Sequence, residues 1–196
     1  MNISIILAHP NPQSFNHAIA EAAADELRQR GHEVHFHDLY TEKFDPLFRK
    51  GEELPGATLH PVIVAQGKEI VSADGIVIVH PNWWGQPPAI LTGWIDRVLR
   101  AGQAYRFVTN DSGEGVPVGL MKAKAAVVFN TANTPKARED SVFGDPLETI
   151  WKNCVFGLCG VTNYHREIFR VVVTSTPAQR DEWLQTVRTT MTRLFP

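Results

Sequence analysis

Asp74-Gly75-Ile76-Val77-Ile78-Val79 is a turn dipeptide followed by four consecutive branched apolar residues. A run this short and this continuously apolar reads as a strand buried on both faces, the pattern of a parallel sheet. Helical signals stand on either side. Upstream, Pro61 to Ser72 carries a helical pattern interrupted by Gly67. Downstream, Pro87 and Pro88 open a helix whose Ile90, Leu91, Trp94, Ile95, Val98 and Leu99 form one apolar stripe. The alternation continues outward. Ile3 to Ala8 is another buried run. It leads into a helix over Asn16 to Arg30, with Ile19, Ala23 and Leu27 four apart and Gly31 in the stop position. Glu33 to His37 alternates as a strand, and Ala125 to Phe129 is a fourth. Asp145-Pro146 with Glu148 has the N-cap, N1 and N3 residues of a helix start, followed by Leu147, Ile150, Trp151 and Cys154 on one face. Glu167 to Val173 is predicted as the fifth strand. Thr176-Pro177-Ala178-Gln179 is a capping box before Leu184, Val187, Met191 and Leu194.

Five apolar strands alternating with helices predict an α/β fold: a doubly wound, five-stranded parallel sheet in the order 2-1-3-4-5 with helices on both faces. The 196 residues fit one domain, 1–196. Two connections, Thr41 to His60 and Gly102 to Lys122, exceed ordinary loop lengths and are candidate functional loops.

Composition narrows the function classes. Lys plus Arg number 19 and Asp plus Glu 21, a net charge of −2, which argues against nucleic acid as the main partner. Charged residues at 20% and apolar ones at 43% exclude a disordered chain. Cys154 and Cys159 form no disulfide framework and fit a reducing cytoplasm. No stretch approaches the roughly 20 apolar residues of a membrane span, so no membrane insertion is expected. The start at Met1-Asn2 shows neither basic flank nor cleavage site. The expectation is a soluble, cytoplasmic protein.

In such a sheet, ligands bind at the carboxyl ends of the strands, where the winding reverses. Three loops meet there. His9-Pro10-Asn11-Pro12-Gln13-Ser14-Phe15-Asn16 runs into a helix N-terminus, whose free N–H groups and positive dipole end suit an anion. Ser14 and Asn16 add side-chain donors and His9 a partial positive charge; a plain helix cap accounts for Ser14 or Asn16 equally well. The loop lacks the glycines of the dinucleotide and Walker motifs, which disfavours ordinary Rossmann binding and NTP hydrolysis. Pro81-Asn82-Trp83-Trp84-Gly85-Gln86-Pro87-Pro88 places adjacent indoles in a Pro/Gly loop. They suit a planar aromatic ligand; packing on the core or on a partner chain is the alternative. Asn130-Thr131-Ala132-Asn133-Thr134-Pro135 is small and polar and offers N–H and hydroxyl groups.

Other features carry no site. His35 and His37 share a strand face but lack a third ligand, so no metal is expected. Cys154 and Cys159 point to different sides of a helix and read as packed thiols. Gly113-Glu114-Gly115 to Gly119 has the wrong spacing for a dinucleotide fingerprint and reads as loop beside Tyr105. There is no G-x-S-x-G elbow. Trp94, Trp151 and Trp183 read as core or interface aromatics.

Taken together, the three loops resemble the NAD(P)H:quinone oxidoreductase family of flavodoxin-like proteins, which includes DT-diaphorase, modulator of drug activity B and the ancillary subunits of glutathione-gated potassium efflux systems. The carriers are His9 with Ser14-Phe15-Asn16; His80-Pro81-Asn82-Trp83-Trp84-Gly85 with Pro88-Ala89-Ile90-Leu91; Gly93-Trp94-Ile95-Asp96-Arg97-Val98; and Ala104-Tyr105. The resemblance implies bound FAD, with FMN as the alternative, and NADPH or NADH as co-substrate. It implies that the first loop holds the diphosphate, that Pro81 to Gly85 and Thr131, Ala132, Asn133 and Thr134 line the isoalloxazine, and that Tyr105 sits over the substrate pocket. It also implies a homodimer with the site at the interface. Three departures stand out. Relatives often carry Thr-Thr-Gly-Gly where this chain has Thr131-Ala132-Asn133-Thr134. A Tyr/His proton relay does not transfer, because Ala137 and Phe143 occupy those places, and Gln66 does not align with the flavin-contacting glutamine.

The implied reaction takes a hydride from NAD(P)H through the flavin to a quinone, nitro or azo acceptor, by ping-pong kinetics because both substrates use one pocket. Neither ring loop contains Asp or Glu, and Lys136 is the nearby charge, so the two-electron hydroquinone is expected over a long-lived semiquinone. A flavodoxin-like electron carrier and a flavin-bound regulatory subunit of a transporter are the alternatives.

Overall fold

The computed structural model describes residues 1–54, 56–109 and 115–196. Strand β1 (Asn2–Leu7) leads to helix α1 (Phe15–Gln29), β2 (Glu33–Asp38), α2 (Pro61–Ser72), β3 (Gly75–Pro81) and α3 (Ala89–Val98). The hairpin strands β4 (Tyr105–Thr109) and β5 (Gly115–Gly119) follow, then β6 (Ala125–Ala132). A single-turn α4 (Lys136–Arg138) runs into a π turn at Glu139–Phe143. The short α5 (Pro146–Thr149) continues as a π-helix over Ile150–Gly157, before β7 (Tyr164–Arg170) and α6 (Pro177–Leu194).

The main sheet is parallel throughout, in the order β2-β1-β3-β6-β7, which is 2-1-3-4-5 when only its own strands are counted. Alternate residues of the inner strands feed two cores. Ile76, Ile78, Ala126 and Val128 pack with α2, α3 and the Leu147–Phe156 helix. Val77, Val79, Val127 and Phe129 pack with α1 and α6. Trp94 and Trp151 are buried in the first core, and Trp183 packs against the second. Among the described residues, no helix is long and apolar enough to cross a membrane.

Local chemistry sets the element ends. Ser14 caps α1, its Oγ accepting from the His17 N–H. The helix stops in a Schellman turn at Gly31 (φ 80°), where Gly31 N–H donates to Arg28 O and His32 N–H to Leu27 O. Thr176 Oγ accepts from Gln179 N–H to open α6.

Three expectations need correction. The connection 102–122 is not a loop throughout, because Tyr105–Thr109 pairs antiparallel with Gly115–Gly119. Gly113 and Glu114 lie outside the described residues. The fifth strand is Tyr164–Arg170, not Glu167 to Val173. Its partner β6 ends at Ala132, opposite Arg170, so the valine run beyond has nothing to pair with, and Val173 is exposed. Asp145 does not cap α5 with its side chain (φ 45°); its carboxylate accepts from Arg166 instead.

Among its described residues, the connection 41–60 is a strap without regular structure, fastened by buried charge. Arg97 Nη2 and Nε donate to Glu52 at 2.6 and 3.0 Å, and Nη1 donates to the Asp45 carbonyl. At its start, Glu42 meets His37, which also meets Glu69 (2.8 and 3.0 Å). His35 lies 4.0 Å from the same Glu69. Cys154 and Cys159 are free thiols, the first exposed and the second buried.

Candidate active site

The three loops beyond β1, β3 and β6 touch one another. Asn16, in the first turn of α1, is buried and donates from Nδ2 to Thr131 Oγ1 at 2.9 Å. Asn82 N–H donates to Thr131 O at 2.7 Å. The His9 and Trp83 rings lie 5.9 Å apart. Six of the predicted site residues are thus drawn together around one strand end: His9, Ser14 and Asn16 from the first loop, Asn82 and Trp83 from the second, Thr131 from the third.

The first loop is organised around one shared hydroxyl. Ser14 Oγ lies 3.0 Å from His17 Nδ1, and His17 Nε2 lies 3.1 Å from Asp38 Oδ2, so the cap is itself held by a His–Asp pair. Ser14 therefore serves as the cap in any case. The Phe15 and Asn16 N–H groups precede any intrahelical acceptor and find none among the described residues. His9 Nδ1 accepts from Asn11 N–H at 3.1 Å. Burial, only partly offset by the Asn11 carbonyl 3.3 Å from Nδ1, lowers its pKa and works against the charged form. The Phe15 ring points elsewhere, packing on Phe169 and Trp183 beneath Arg180.

The second loop folds as a two-residue reverse turn. Trp83 and Gln86 exchange backbone hydrogen bonds across Trp84 (φ 59°) and Gly85 (φ 73°). Asn82 Oδ1 secures the turn from inside by accepting from Gly85 N–H at 3.0 Å. Trp84 is 97% exposed and Trp83 40%, so neither indole belongs to the core. A left-handed backbone at a bulky residue is strained, and such strain clusters at binding sites.

Opposite this turn stands the arm formed by the π turn and the residues after it. Between turn and arm lies a cleft of about 580 Å³, walled by Trp84, Val142, Phe143 and Pro146 and floored by Ala132 and Thr134. The Trp84 and Thr134 N–H groups find no acceptor among the described residues. At the base of the cleft the two walls meet, since a Cβ on Gly85 would lie 2.7 Å from Pro146 Cγ. Asn133 lies outside the lining, its Oδ1 accepting from Val173 N–H.

Sequence reasoning missed the parts played by four residues. Glu139 is buried, lines the cleft and accepts from Asn82 Nδ2 at 3.4 Å, with Arg170 3.8 Å away. The expectation of a site free of carboxylates is corrected, because this one arrives from the arm rather than from the ring loops. Lys136 turns away to Asp140. His80, Asn130 and Arg166 lie behind the ring loop. His80 is fully buried, and burial holds its pKa down at about 3. It is therefore neutral, with Nε2 accepting from Asn130 Nδ2 and Trp151 Nε1 and Nδ1–H donating to Pro81 O. A histidine ending a buried strand was the visible signal for this network.

Tyr105 does not line this cleft. It faces a shallow hollow of about 230 Å³ beside Ile95, Cys154 and Leu158, with Phe107 against its ring. Gln66 is buried away from the loops, bonded to Trp94 and Glu42.

Residues 1–191 match the family model described as Flavodoxin-like fold. The chain belongs to that family. An uncharacterized NAD(P)H oxidoreductase of Haemophilus influenzae is 39% identical over 175 residues, 86% of this chain and 83% of that protein. The rat NAD(P)H dehydrogenase [quinone] 1 is 37% identical over 124 residues, 54% of this chain; the match spans only 45% of the rat protein. Among solved structures, the NAD(P)H:quinone oxidoreductase of Methanothermobacter marburgensis superposes with a TM-score of 0.82 at 25% identity, covering 97% of this chain and 95% of that one. The flavodoxin-like sheet puts its ligand face where this chain gathers its three loops.

Proposed function

We propose that the protein is a flavin-dependent oxidoreductase of the NAD(P)H dehydrogenase (quinone) type, moving a hydride from NADH or NADPH to a quinone or to a nitro or azo compound. The observation that carries this reading is the meeting of three loops at one strand end, two of which line a cleft flat-walled by indole and phenyl groups, with backbone N–H donors that have no acceptor among the described residues. Bound there, a flavin supplies the hydride relay, and the protein supplies position and electrostatics.

The residues fit such a group. The free N–H groups at the start of α1, with Ser14 and Asn16, suit a phosphorylated tail. Ala132, Thr134 and the Trp84-Gly85 turn offer a flat bay whose N–H groups suit donation to a polar ring edge. FAD is the cofactor we favour and FMN the alternative. Glu139 adds a negative charge that works against an anionic reduced ring, while the N–H donors favour it.

Tyr105 is assigned to the site of a second copy. The β4–β5 hairpin carries exposed Phe107 and Val116, an apolar surface suited to a second copy of the chain. The relatives' Tyr/His relay does not transfer to these positions, since Ala137 is exposed on the arm and Phe143 is a cleft wall.

Steady-state kinetics with NADH, NADPH and a simple benzoquinone test this reading. Turnover with parallel double-reciprocal lines is expected. Intersecting lines would refute the shared pocket, and absence of turnover with either nicotinamide would refute the assignment.

A further inference from the structure

Arg166 connects the two walls of the cleft from behind, and nothing in the proposed chemistry uses it. Its side chain is only 3% exposed. Nε donates to Asn130 Oδ1 at 2.6 Å, and Asn130 reaches through His80 to the Pro81 carbonyl, where the ring loop begins. Nη1 donates to both carboxylate oxygens of Asp145 at 2.9 and 2.8 Å, where the arm ends, and to Glu148 at 3.3 Å. Gly144 and Asp145 are consecutive left-handed residues (φ 70° and 45°). They form the bend that sets the arm's direction, and Arg166 fixes the Asp145 side chain at that bend. Pro146, next in sequence, is the residue that meets Gly85 across the base of the cleft. Arg166 Nη2 is the buried side-chain nitrogen without a partner among the described residues, an arrangement that a pair selected for stability alone would avoid.

We propose that Arg166 is a positioning residue: by tying Asp145 to the Asn130–His80 network it fixes how far the arm stands from the Trp84-Gly85 turn, and so sets which planar acceptors the cleft admits. This rests on the oxidoreductase reading for the identity of the ligand, but its geometry is testable without turnover.

The test uses the protein as purified and three variants, Arg166→Lys, Arg166→Met and Asp145→Asn. Asparagine tolerates the left-handed backbone, so Asp145→Asn keeps the test open if Arg166→Met does not fold. Hydrogen exchange of the amides of 139–146 is expected to quicken at least about tenfold in Arg166→Met and Asp145→Asn, less in Arg166→Lys, with β3 unchanged. Dissociation constants for a one-ring and a three-ring planar aromatic, read by tryptophan quenching, are expected to change in ratio by at least about fivefold. The KM ratio for one-ring and three-ring quinones should follow, with kcat nearly constant. Unchanged arm exchange, exchange raised uniformly across the chain, or a loosened arm with an unaltered dissociation-constant ratio would each overturn the proposal. A wild type that binds both aromatics but reduces no quinone would refute the functional reading and leave the binding ratio to decide this one.

Discussion

The Asn16 side-chain amide donates to Thr131 Oγ1 at 2.9 Å, joining the first turn of α1 to the end of β6 across 115 residues of sequence. Both residues are buried, and the pair ties the loop after β1 to the end of β6.

Asn16→Ala removes that tie and leaves a buried hydroxyl without its partner. A loss of about 1–3 kcal/mol in unfolding free energy is expected by urea denaturation, together with weaker flavin retention on gel filtration. A variant as stable as wild type that keeps its flavin would show the tie to be incidental.

Trp84→Gly separates strain from function. A left-handed backbone at a non-glycine residue costs about 1–2 kcal/mol, and glycine relieves it while adding entropy to the unfolded chain. Stability is therefore expected to stay within about 1 kcal/mol of wild type, or to rise, although a tryptophan is lost. Ligand affinity should fall by about tenfold through the missing aromatic wall, as measured by equilibrium titration.

Glu139→Gln removes the buried carboxylate of the cleft. Arg170, 3.8 Å away, offsets part of its field. The flavin midpoint potential is expected to rise, by an amount of order 1 kcal/mol or about 20 mV for a two-electron couple. A potential that falls, read by dye equilibration, would place the carboxylate's influence elsewhere.

His37 makes part of the stability pH-dependent. Burial works against its charge, but hydrogen bonds and charge from Glu69 and Glu42 outweigh it and raise the pKa above the ordinary value. A histidine whose folded pKa is raised contributes stability that is complete below the unfolded value near 6.5. That contribution is lost as pH rises through the folded value. Urea denaturation at about pH 6 and pH 9 should show a decline in wild type that is smaller in His37→Gln.

Gly93 meets the strap directly, because a methyl group there would run into the Pro46 carbonyl. Gly93→Ala is expected to loosen 41–60 and expose it to limited proteolysis, at a loss of roughly 1–3 kcal/mol. Cleavage no faster than in wild type would show that the strap yields without detaching.

The sheet was legible because each inner strand is continuously apolar and each connection carries its own helix signals; Ile76 to Val79 and the Pro88-led stripe fixed the winding. The ring loop was legible because adjacent indoles in a Pro/Gly turn make poor core. Glu139 and Arg166 were not, since their roles depend on partners from distant segments that no local spacing encodes: Asn82 for one, Asp145 and Asn130 for the other. The valine run at 171–173 misled for a related reason, as strand length is set by the neighbouring strand. Tyr105 was placed by resemblance alone, and within one chain it faces a different hollow.

The most direct measurement is the visible spectrum of the purified protein, followed by release and identification of its chromophore. A yellow protein carrying close to one flavin per chain, with FAD released on denaturation, is the predicted result. A colourless protein that also fails to take up FAD or FMN in titration would contradict the central claim that the three loops enclose a flavin.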